Sequence, residues 1–478
     1  MSTARSEYAY RSAVSAPTIP TIPIIASRLH VVRDDEHAEH PEAAGALPAV
    51  VGAGLRVPTL TGEVEYANLD HAASTPALVS VKAAVDAALQ TYSSVHRGNG
   101  YASRITSAWY EEAREEVARF VGAREGDTVV FTRNTTDSTN LLARCLPRGT
   151  EVFVFETEHH STLLPWHGAD GVSVTTLPVP SGVEHALEDL ETALAASGAR
   201  HRLVVVAGAS NVTGEIWPVA DVVRLARRYR ARVAVDAAQL APHRRVDLAT
   251  SGADYVVLSG HKLYAPFGAG VLAGRADWLD QAAPYLRGGG ATQRVTTSGA
   301  TWSTGPVRHE GGSPNVIGAI ALAAACAAIS GHREAIEAHE AQLLARLRTG
   351  LDAIPGVDTW SIFGDDHDRV GVLPFTIERL DSSLVSAILS AEHGIGVRDG
   401  KFCAHILVDE LLEDPWGDVP ATAVRVSIGL ANTVAHVDRL VAAVARLAAH
   451  GPARRYTRTD EGWVAEGDDR DLTLPRPW

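Results

Sequence analysis

The sequence predicts an α/β protein, with a large domain built on a mostly parallel sheet followed by a smaller α+β domain. Three observations carry this. Short apolar runs alternate with helical stretches across the first half of the chain. Polar residues gather just after the ends of those runs, and from about Val316 the texture changes to long amphipathic helices around two strand candidates. A chain of 478 residues exceeds one small domain, and 46% hydrophobic with 21% charged residues is ordinary for a globular protein with a sizeable core. The formal net charge of −14 argues against a nucleic-acid partner, because no basic face offsets repulsion from phosphates.

Residues 1–54 mix Ser, Thr, Pro, His and acidic residues without sustained periodicity and read as a partly flexible N-terminal extension. Glu7 and several prolines occupy the place where a signal peptide needs an apolar segment, so no targeting segment is expected. The large domain is assigned to 55–315. It opens with a strand-turn-strand around Thr61-Gly62, and Tyr66-Ala-Asn-Leu-Asp70 leads into its body. Helical patterns at 77–91 and 108–121 precede apolar runs at 128–132, 152–155, 203–207, 232–235 and 255–258, with a helix at 219–229 between two of them. Buried strands separated by helices imply parallel pairing through right-handed crossovers, and ligands of such sheets sit at the carboxyl ends of the strands.

The smaller domain is assigned to 316–451. Its first segment, 316–329, is rich in Ala and too short for a bilayer span, so it reads as a buried helix and no membrane partner is expected. Strands are expected at 370–377 and 423–428. A polar tail, 452–478, carries a hairpin candidate around Asp460-Glu-Gly462. Cys145, Cys326 and Cys403 are widely spaced and form no CxxC pair, which supports neither a disulfide framework nor a zinc knuckle and fits a reducing cytoplasm.

The chemistry concentrates after the strands. Lys262 closes Ser259-Gly-His261-Lys262, and Asp236 and Gln239 stand in Asp236-Ala-Ala-Gln239 after another apolar run. An amine and a carboxylate at two strand ends are what pyridoxal 5'-phosphate needs, one to hold its aldehyde and one to hold its pyridinium nitrogen. A buried Asp236 is costly unless paired, and a protonated ring nitrogen is a partner that keeps it ionised. Gln239 is placed to reach the phenolic oxygen. Asn134-Thr135-Thr136 closes a strand and opens a helix, offering backbone N–H groups and hydroxyls to a phosphate, with Ser259 and His261 opposite; a plain N-cap would also explain the threonines. Glu158-His159-His160 lacks further zinc-type ligand spacing, so no metal is expected and His159 reads as an imidazole stacked on the cofactor ring. Gly52-Ala-Gly54 lacks a third glycine, and Gly268-Ala-Gly270-Val-Leu-Ala-Gly274 leads into a strand, so neither is a dinucleotide fingerprint.

Cys145 and Cys326 sit among apolar residues and read as small buried hydrophobes. Cys403 differs, because Arg398, Gly400 and Lys401 make its loop polar and electropositive, which favours a thiolate. Arg425 interrupts the apolar alternation of Ala423-Val-Arg-Val-Ser427, and its fork geometry suits a substrate carboxylate.

Taken together, these residues resemble the class V aminotransferase family of fold-type I pyridoxal-phosphate enzymes, most closely its Suf-type cysteine desulfurase and selenocysteine lyase branch. The likeness runs from about Asn68 to Ala449 through Asn68-Leu-Asp-His-Ala-Ala-Ser74, His96-Arg-Gly98, Thr135-Thr136, Glu158-His-His160, Ser210-Asn-Val-Thr-Gly214, Asp236-Ala-Ala-Gln239, Ser259-Gly-His-Lys262, Gly312-Ser-Pro-Asn315, Arg398-x-Gly-x-x-Cys403 and Arg425. It implies a seven-stranded-type sheet and places Lys262, Asp236, Gln239 and His159 on the cofactor. Thr135, Thr136, Ser259 and His261 would hold the phosphate, with Ser313 reaching it from the second subunit of a homodimer. Asn211, beside the cofactor, and Arg425 would hold the substrate carboxylate, with His96 and Arg398 as further substrate contacts. Cys403 would take sulfur or selenium from an L-cysteine-type substrate and leave alanine, with a sulfur-acceptor protein as a further partner.

The sequence departs from the branch at Asp137, at Ser313, at Lys401-Phe402, where histidines are common, and in the longer connection at 410–419. That insertion and the terminal extensions keep open an aminotransferase, epimerase or C–S lyase acting on a specialised amino acid, with Cys403 non-catalytic.

Overall fold

Uninterrupted apolar runs such as Val152-Phe-Val-Phe155, Leu203-Val-Val-Val206 and Tyr255-Val-Val-Leu258 are buried along their whole length, as strands covered by helices on both faces must be. The computed structural model describes residues 46–478 other than Arg97, 413–420, Glu461 and Pro475. Most of the N-terminal extension and most of the 410–419 insertion therefore lie outside the described residues.

Seven strands form the large sheet: β1 (Asp127–Thr132), β2 (Thr150–Phe155), β3 (Val172–Leu177), β4 (His201–Ala207), β5 (Arg232–Asp236), β6 (Tyr255–Ser259) and β7 (Gly270–Arg275). Their order is β3-β2-β4-β5-β6-β7-β1, parallel throughout except that β7 runs against both of its neighbours. The five expected runs are all strands. An edge strand, β3, joins them; its alternate Ser and Thr residues leave it half exposed and without an apolar run. At the start of β7, a Cβ on Gly270 would lie 2.5 Å from the Cα of Asn134, so only glycine lets this strand pass beneath the Asn134 turn.

Alternate residues of the central strands point into two separate cores. Phe153, Val204, Val206, Val233, Val235, Val256 and Leu258 join one, and Val152, Val154, Leu203, Val205, Ala234 and Val257 join the other. The helix Val316–Gly331, expected to open the smaller domain, belongs instead to the first of these cores through Ala321, Leu322, Ala325, Cys326 and Ile329. Its alanines permit close packing against the helices Val79–Leu89 and Tyr101–Phe120. The change of packing therefore follows it, at the bend of 76° into Arg333–Asp352. Among the described residues no single helix is long and apolar enough to cross a membrane.

The smaller core sits on a four-stranded antiparallel sheet ordered Val357–Thr359, Val372–Ile377, Ala423–Ser427, Arg398–Gly400. Ala67–Asn68 adds to Ile395–Gly396 as a parallel pair and buries Ala67 and Leu69 in this core. The segment that follows, including Asp70 and Ala72, is thus held against the smaller sheet while its continuation reaches the large one. The expected hairpins are Arg56–Thr59 with Gly62–Glu65, and Tyr456–Thr459 with Gly462–Ala465.

Candidate active site

The carboxyl ends of β1, β2, β4, β5 and β6 open onto a cavity of about 270 Å³, closed on its far side by Arg398, Phe402, Cys403 and Arg425 from the smaller domain. Lys262 follows β6 in a short 3₁₀ turn and donates from Nζ to Gln239 Oε1 at 3.1 Å. Burial lowers its pKa from 10.5 to about 8; Asp236 opposes the shift, Arg425 adds to it, and Cys403 and Asp70 oppose it. The amine is therefore far closer to its neutral, nucleophilic form at physiological pH than a surface lysine would be.

Asp236 ends β5. Its Oδ1 accepts the Ala238 N–H at 2.9 Å and its Oδ2 the Thr162 hydroxyl at 2.5 Å. Burial raises its pKa, and among the described residues it has no ion-pair partner within 4.0 Å. An enclosed carboxyl lacking a cation is a slot for a cationic ring nitrogen. Glu158 lies next to it, after β2, with Oε1 on the Ala207 N–H at 2.8 Å and Oε2 without a partner; its pKa is pushed up to about 8, chiefly by burial, against the Ala207 N–H and with a contribution from Asp236. Burial favours the protonated form of Glu158 at neutral pH, and a cationic ring nitrogen beside Asp236 would favour its carboxylate form.

His159 also stays neutral, its pKa lowered to about 3 chiefly by burial and then by Lys262, His160 and Arg425. Its Nδ1 accepts the Ser161 N–H at 3.1 Å, which leaves the ring proton on Nε2. The phosphate end is the N-terminus of the helix Thr135–Cys145, capped by Asn134, whose side chain accepts the Asp137 N–H at 2.9 Å. Ser259 Oγ lies 2.8 Å from both the Thr135 amide and the Thr135 hydroxyl, while the exposed Thr136 and the half-buried His261 line the cavity. A helix N-terminus, three hydroxyls and an imidazole are a donor set for a phosphate.

At the substrate end, Arg425 is almost wholly buried. Nη1 donates to the Asn211 carbonyl at 2.8 Å, Nη2 meets Asp70 Oδ1 at 3.1 Å, and Nε has no partner. Burial lowers its pKa, Asp70 opposes that, Arg398 adds to it and Cys403 opposes it. A guanidinium out of water with an unused N–H has a strong affinity for a carboxylate. Asn211 gives one side-chain N–H to the Phe402 carbonyl at 2.8 Å. Phe402 and Cys403 both hold positive φ, 52° and 56°, and Cys403 is exposed. The Cys403 carbonyl accepts the His160 N–H at 2.8 Å, which ties the Cys403 loop to the segment after β2.

The cavity gathers Thr135, Thr136, His159, Asn211, Asp236, Gln239, Ser259, His261, Lys262, Arg398, Cys403 and Arg425, as expected from the sequence. Two expected residues lie elsewhere within one chain. His96 stands outside, its Nε2 2.9 Å from Glu111 on the surface. Ser313 lines a second cavity with Tyr285, Glu310 and Asn315. Among the described residues no group of three or more His, Cys, Asp or Glu side chains is arranged to hold a metal; His160 packs edge-on against His405, ring centres 4.6 Å apart. Three participants went unread in the sequence: Thr162, the donor to Asp236; Asp70, the partner of Arg425; and Phe402, whose ring lies under Arg425. Asp70 had a signal, since it stands in a polar motif just before the body of the large domain.

Residues 67–440 match the sequence model of the aminotransferase class-V family. The chain belongs to the class-V aminotransferase family. Its members work with pyridoxal 5'-phosphate, and the amine, unpaired carboxylate, neutral imidazole and phosphate donors described above fit that cofactor. Within the family, the chain is 37% identical over 394 residues to a cysteine desulfurase of Dickeya dadantii, covering 80% of this chain and 92% of that protein. It is 35% identical over 382 residues to a probable cysteine desulfurase of Halalkalibacterium halodurans, covering 78% and 90%. Among solved structures, the apo cysteine desulfurase of Thermococcus onnurineus NA1 superposes with a TM-score of 0.73 at 31% identity, over 84% of this chain and 99% of that one. The Escherichia coli cysteine desulfurase CsdA, in an S-sulfonic acid form, gives 0.69 at 31% identity over 80% and 94%. The fold is that of the fold-type I pyridoxal-phosphate enzymes.

Proposed function

We propose that this class-V aminotransferase-family enzyme is a cysteine desulfurase, moving sulfur or selenium from an L-cysteine-type substrate onto Cys403 and releasing alanine. One observation carries the reading: an exposed thiol stands at a positive φ in the wall of the same cavity as Lys262 and Arg425, near enough to act electrostatically on both. The names of the relatives support it.

When bound, pyridoxal phosphate supplies the electron sink that labilises the substrate's α-proton and its Cβ–Sγ bond. Asp236 would hold the ring nitrogen, and His159, neutral because burial lowers its pKa, would cover the ring without adding charge. Arg425 takes the α-carboxylate through its free Nε–H, and Asn211 adds its second side-chain N–H. Lys262 would hold the cofactor aldehyde and, as a free amine of depressed pKa, would accept and return a proton near neutrality. Cys403, as the thiolate, attacks the substrate Sγ; the S–S bond forms as Cβ–Sγ breaks, the carbon keeps the electron pair and, protonated, leaves as the methyl group of alanine. An external thiol or a sulfur-acceptor protein then removes the outer sulfur and is oxidised in doing so.

The same reading takes the enzyme to be a homodimer of the reducing cytoplasm, with Ser313 of a second copy at the phosphate; sedimentation of the holoenzyme as a monomer would count against the dimer. The test of function is to incubate the cofactor-loaded enzyme with L-cysteine and a thiol reductant. Sulfide and alanine in equal amounts are expected from the wild type and neither from Cys403→Ala. Absence of both products from the wild type overturns the reading. Sulfide and alanine unchanged in Cys403→Ala would make Cys403 non-catalytic, and sulfide with pyruvate in place of alanine would make the enzyme a C–S lyase.

A further inference from the structure

Phe402 immediately precedes the proposed nucleophile, and its own backbone is left-handed at φ 52° with Cys403 following at 56°. Two consecutive non-glycine residues in this region persist only where surrounding contacts hold them. Those contacts run to the substrate-binding side. The Phe402 carbonyl accepts Asn211 Nδ2 at 2.8 Å, and the Asn211 carbonyl accepts Arg425 Nη1 at 2.8 Å. The Arg425 guanidinium carbon lies 5.1 Å from the centre of the Phe402 ring, which closes the circuit. The ring is buried in an apolar cluster with Val212, Leu407 and Ala423, so it cannot turn away without opening that cluster.

Because Arg425 is out of water, an aromatic face beneath it attracts the cation more strongly than at a surface. The guanidinium sits over the ring, and its Nε is left without a partner, free for a carboxylate. We propose that Phe402 is a positioning residue that couples the Cys403 loop to the carboxylate-binding Arg425, so that the anchoring of the substrate and the reach of the thiol are set together. The inference rests on the desulfurase reading for its second half only.

Phe402→Leu keeps an apolar side chain but removes the aromatic face. Binding of L-alanine, which has a carboxylate and no sulfur, is followed by the change in cofactor absorbance; it should weaken about tenfold in Phe402→Leu, and the KM for L-cysteine should rise by a similar factor. Phe402→Tyr should restore both. In the double variant with Arg425→Lys, Phe402→Leu should add little to the loss caused by Arg425→Lys alone, since the two act through one contact. Thermal unfolding and cofactor absorbance of each holoenzyme establish that it is folded, and Phe402→Met serves if the leucine variant is not. Wild-type alanine affinity in Phe402→Leu, no recovery in Phe402→Tyr, or full additivity with Arg425→Lys would each overturn the proposal. If the wild type makes no alanine from L-cysteine, the desulfurase reading fails, while the alanine-binding arm still decides whether Phe402 holds Arg425.

Discussion

Lys262 should titrate near pH 8 in the cofactor-free protein, and this should govern how quickly the protein takes up pyridoxal phosphate. Burial lowers the amine from 10.5 to about 8, against the pull of Asp236. A shift of that size corresponds to about 3.4 kcal/mol and makes the neutral fraction at pH 7 about 300 times larger, roughly 10% in place of roughly 0.03%. Only the neutral amine attacks the cofactor aldehyde. The initial rate of cofactor uptake, followed by stopped-flow absorbance and corrected with methylamine for ionisation of the cofactor itself, should rise about tenfold per pH unit below 8 and level off above it. Asp236→Asn removes the anion that holds the proton on Lys262, so its plateau should begin about one unit lower. A wild-type rate still climbing towards pH 10, as for a solvated lysine, would refute the reasoning; so would a midpoint that moves upward in Asp236→Asn.

The Glu310 side chain is buried and receives Arg114 Nη1 at 2.7 Å, the Tyr110 hydroxyl at 2.9 Å and the Phe131 N–H at 2.7 Å; Arg114 keeps Glu111 as a second partner, so Glu310→Gln should lower stability to urea by about 2 kcal/mol. His71 is buried, and burial, then His243, lower its pKa from 6.5 to about 4 against a contribution from the Asn68 backbone. The unfolded chain binds the proton first, so as pH falls from about 6.5 to about 4 this one residue should cost about 3 kcal/mol of stability, and His71→Phe should flatten that part of a pH–stability curve.

The parts of the fold legible in sequence were those whose physics is local. Strands covered on both faces are apolar over their buried length, and 152–155 of β2, 203–206 of β4 and 255–258 of β6 read that way. The edge strand β3 spends its alternate residues on solvent and leaves no such run. The helix Val316–Gly331 was legible as a helix, but its partners were not, because a stretch of alanine and leucine carries no mark of which core it joins. The same division holds in the site. Lys262 and Asp236 stand out because a charged residue ends an apolar run. Asp70 and Arg425 are 355 residues apart, and Thr162 and Asp236 are 74 apart; each pairing arises only when the smaller sheet or the segment after β2 folds back over the strand ends.

That folding back also bears on which part of the site is free to move. The Ser427 hydroxyl accepts the Ala72 N–H at 2.9 Å within the smaller sheet's neighbourhood, while Arg425 reaches across to Asn211 of the large domain. Buried Glu215, after the Asn211 turn, accepts the Ile362 and Phe363 N–H groups at 2.6 and 2.7 Å. Buried Glu340, on the helix leading into the smaller core, bonds both His243 and Arg244 beyond β5. Buried carboxylates of this kind add little net stability compared with apolar packing, yet each is expensive to break, so together they favour one relative placement of the two cores. Arg425 is then fixed with respect to Asp236 and Lys262 before any substrate arrives. On the reading proposed above, the exposed Cys403 thiol has to reach the substrate sulfur from a loop whose Phe402 and Ala404 side chains are buried. Its two positive-φ residues stand outside the bonds that join the cores, except through the Asn211 and His160 contacts to the Phe402 and Cys403 carbonyls. The buried Phe402 ring and the Asn211 and His160 contacts thus hold this loop to the same arrangement that fixes Arg425.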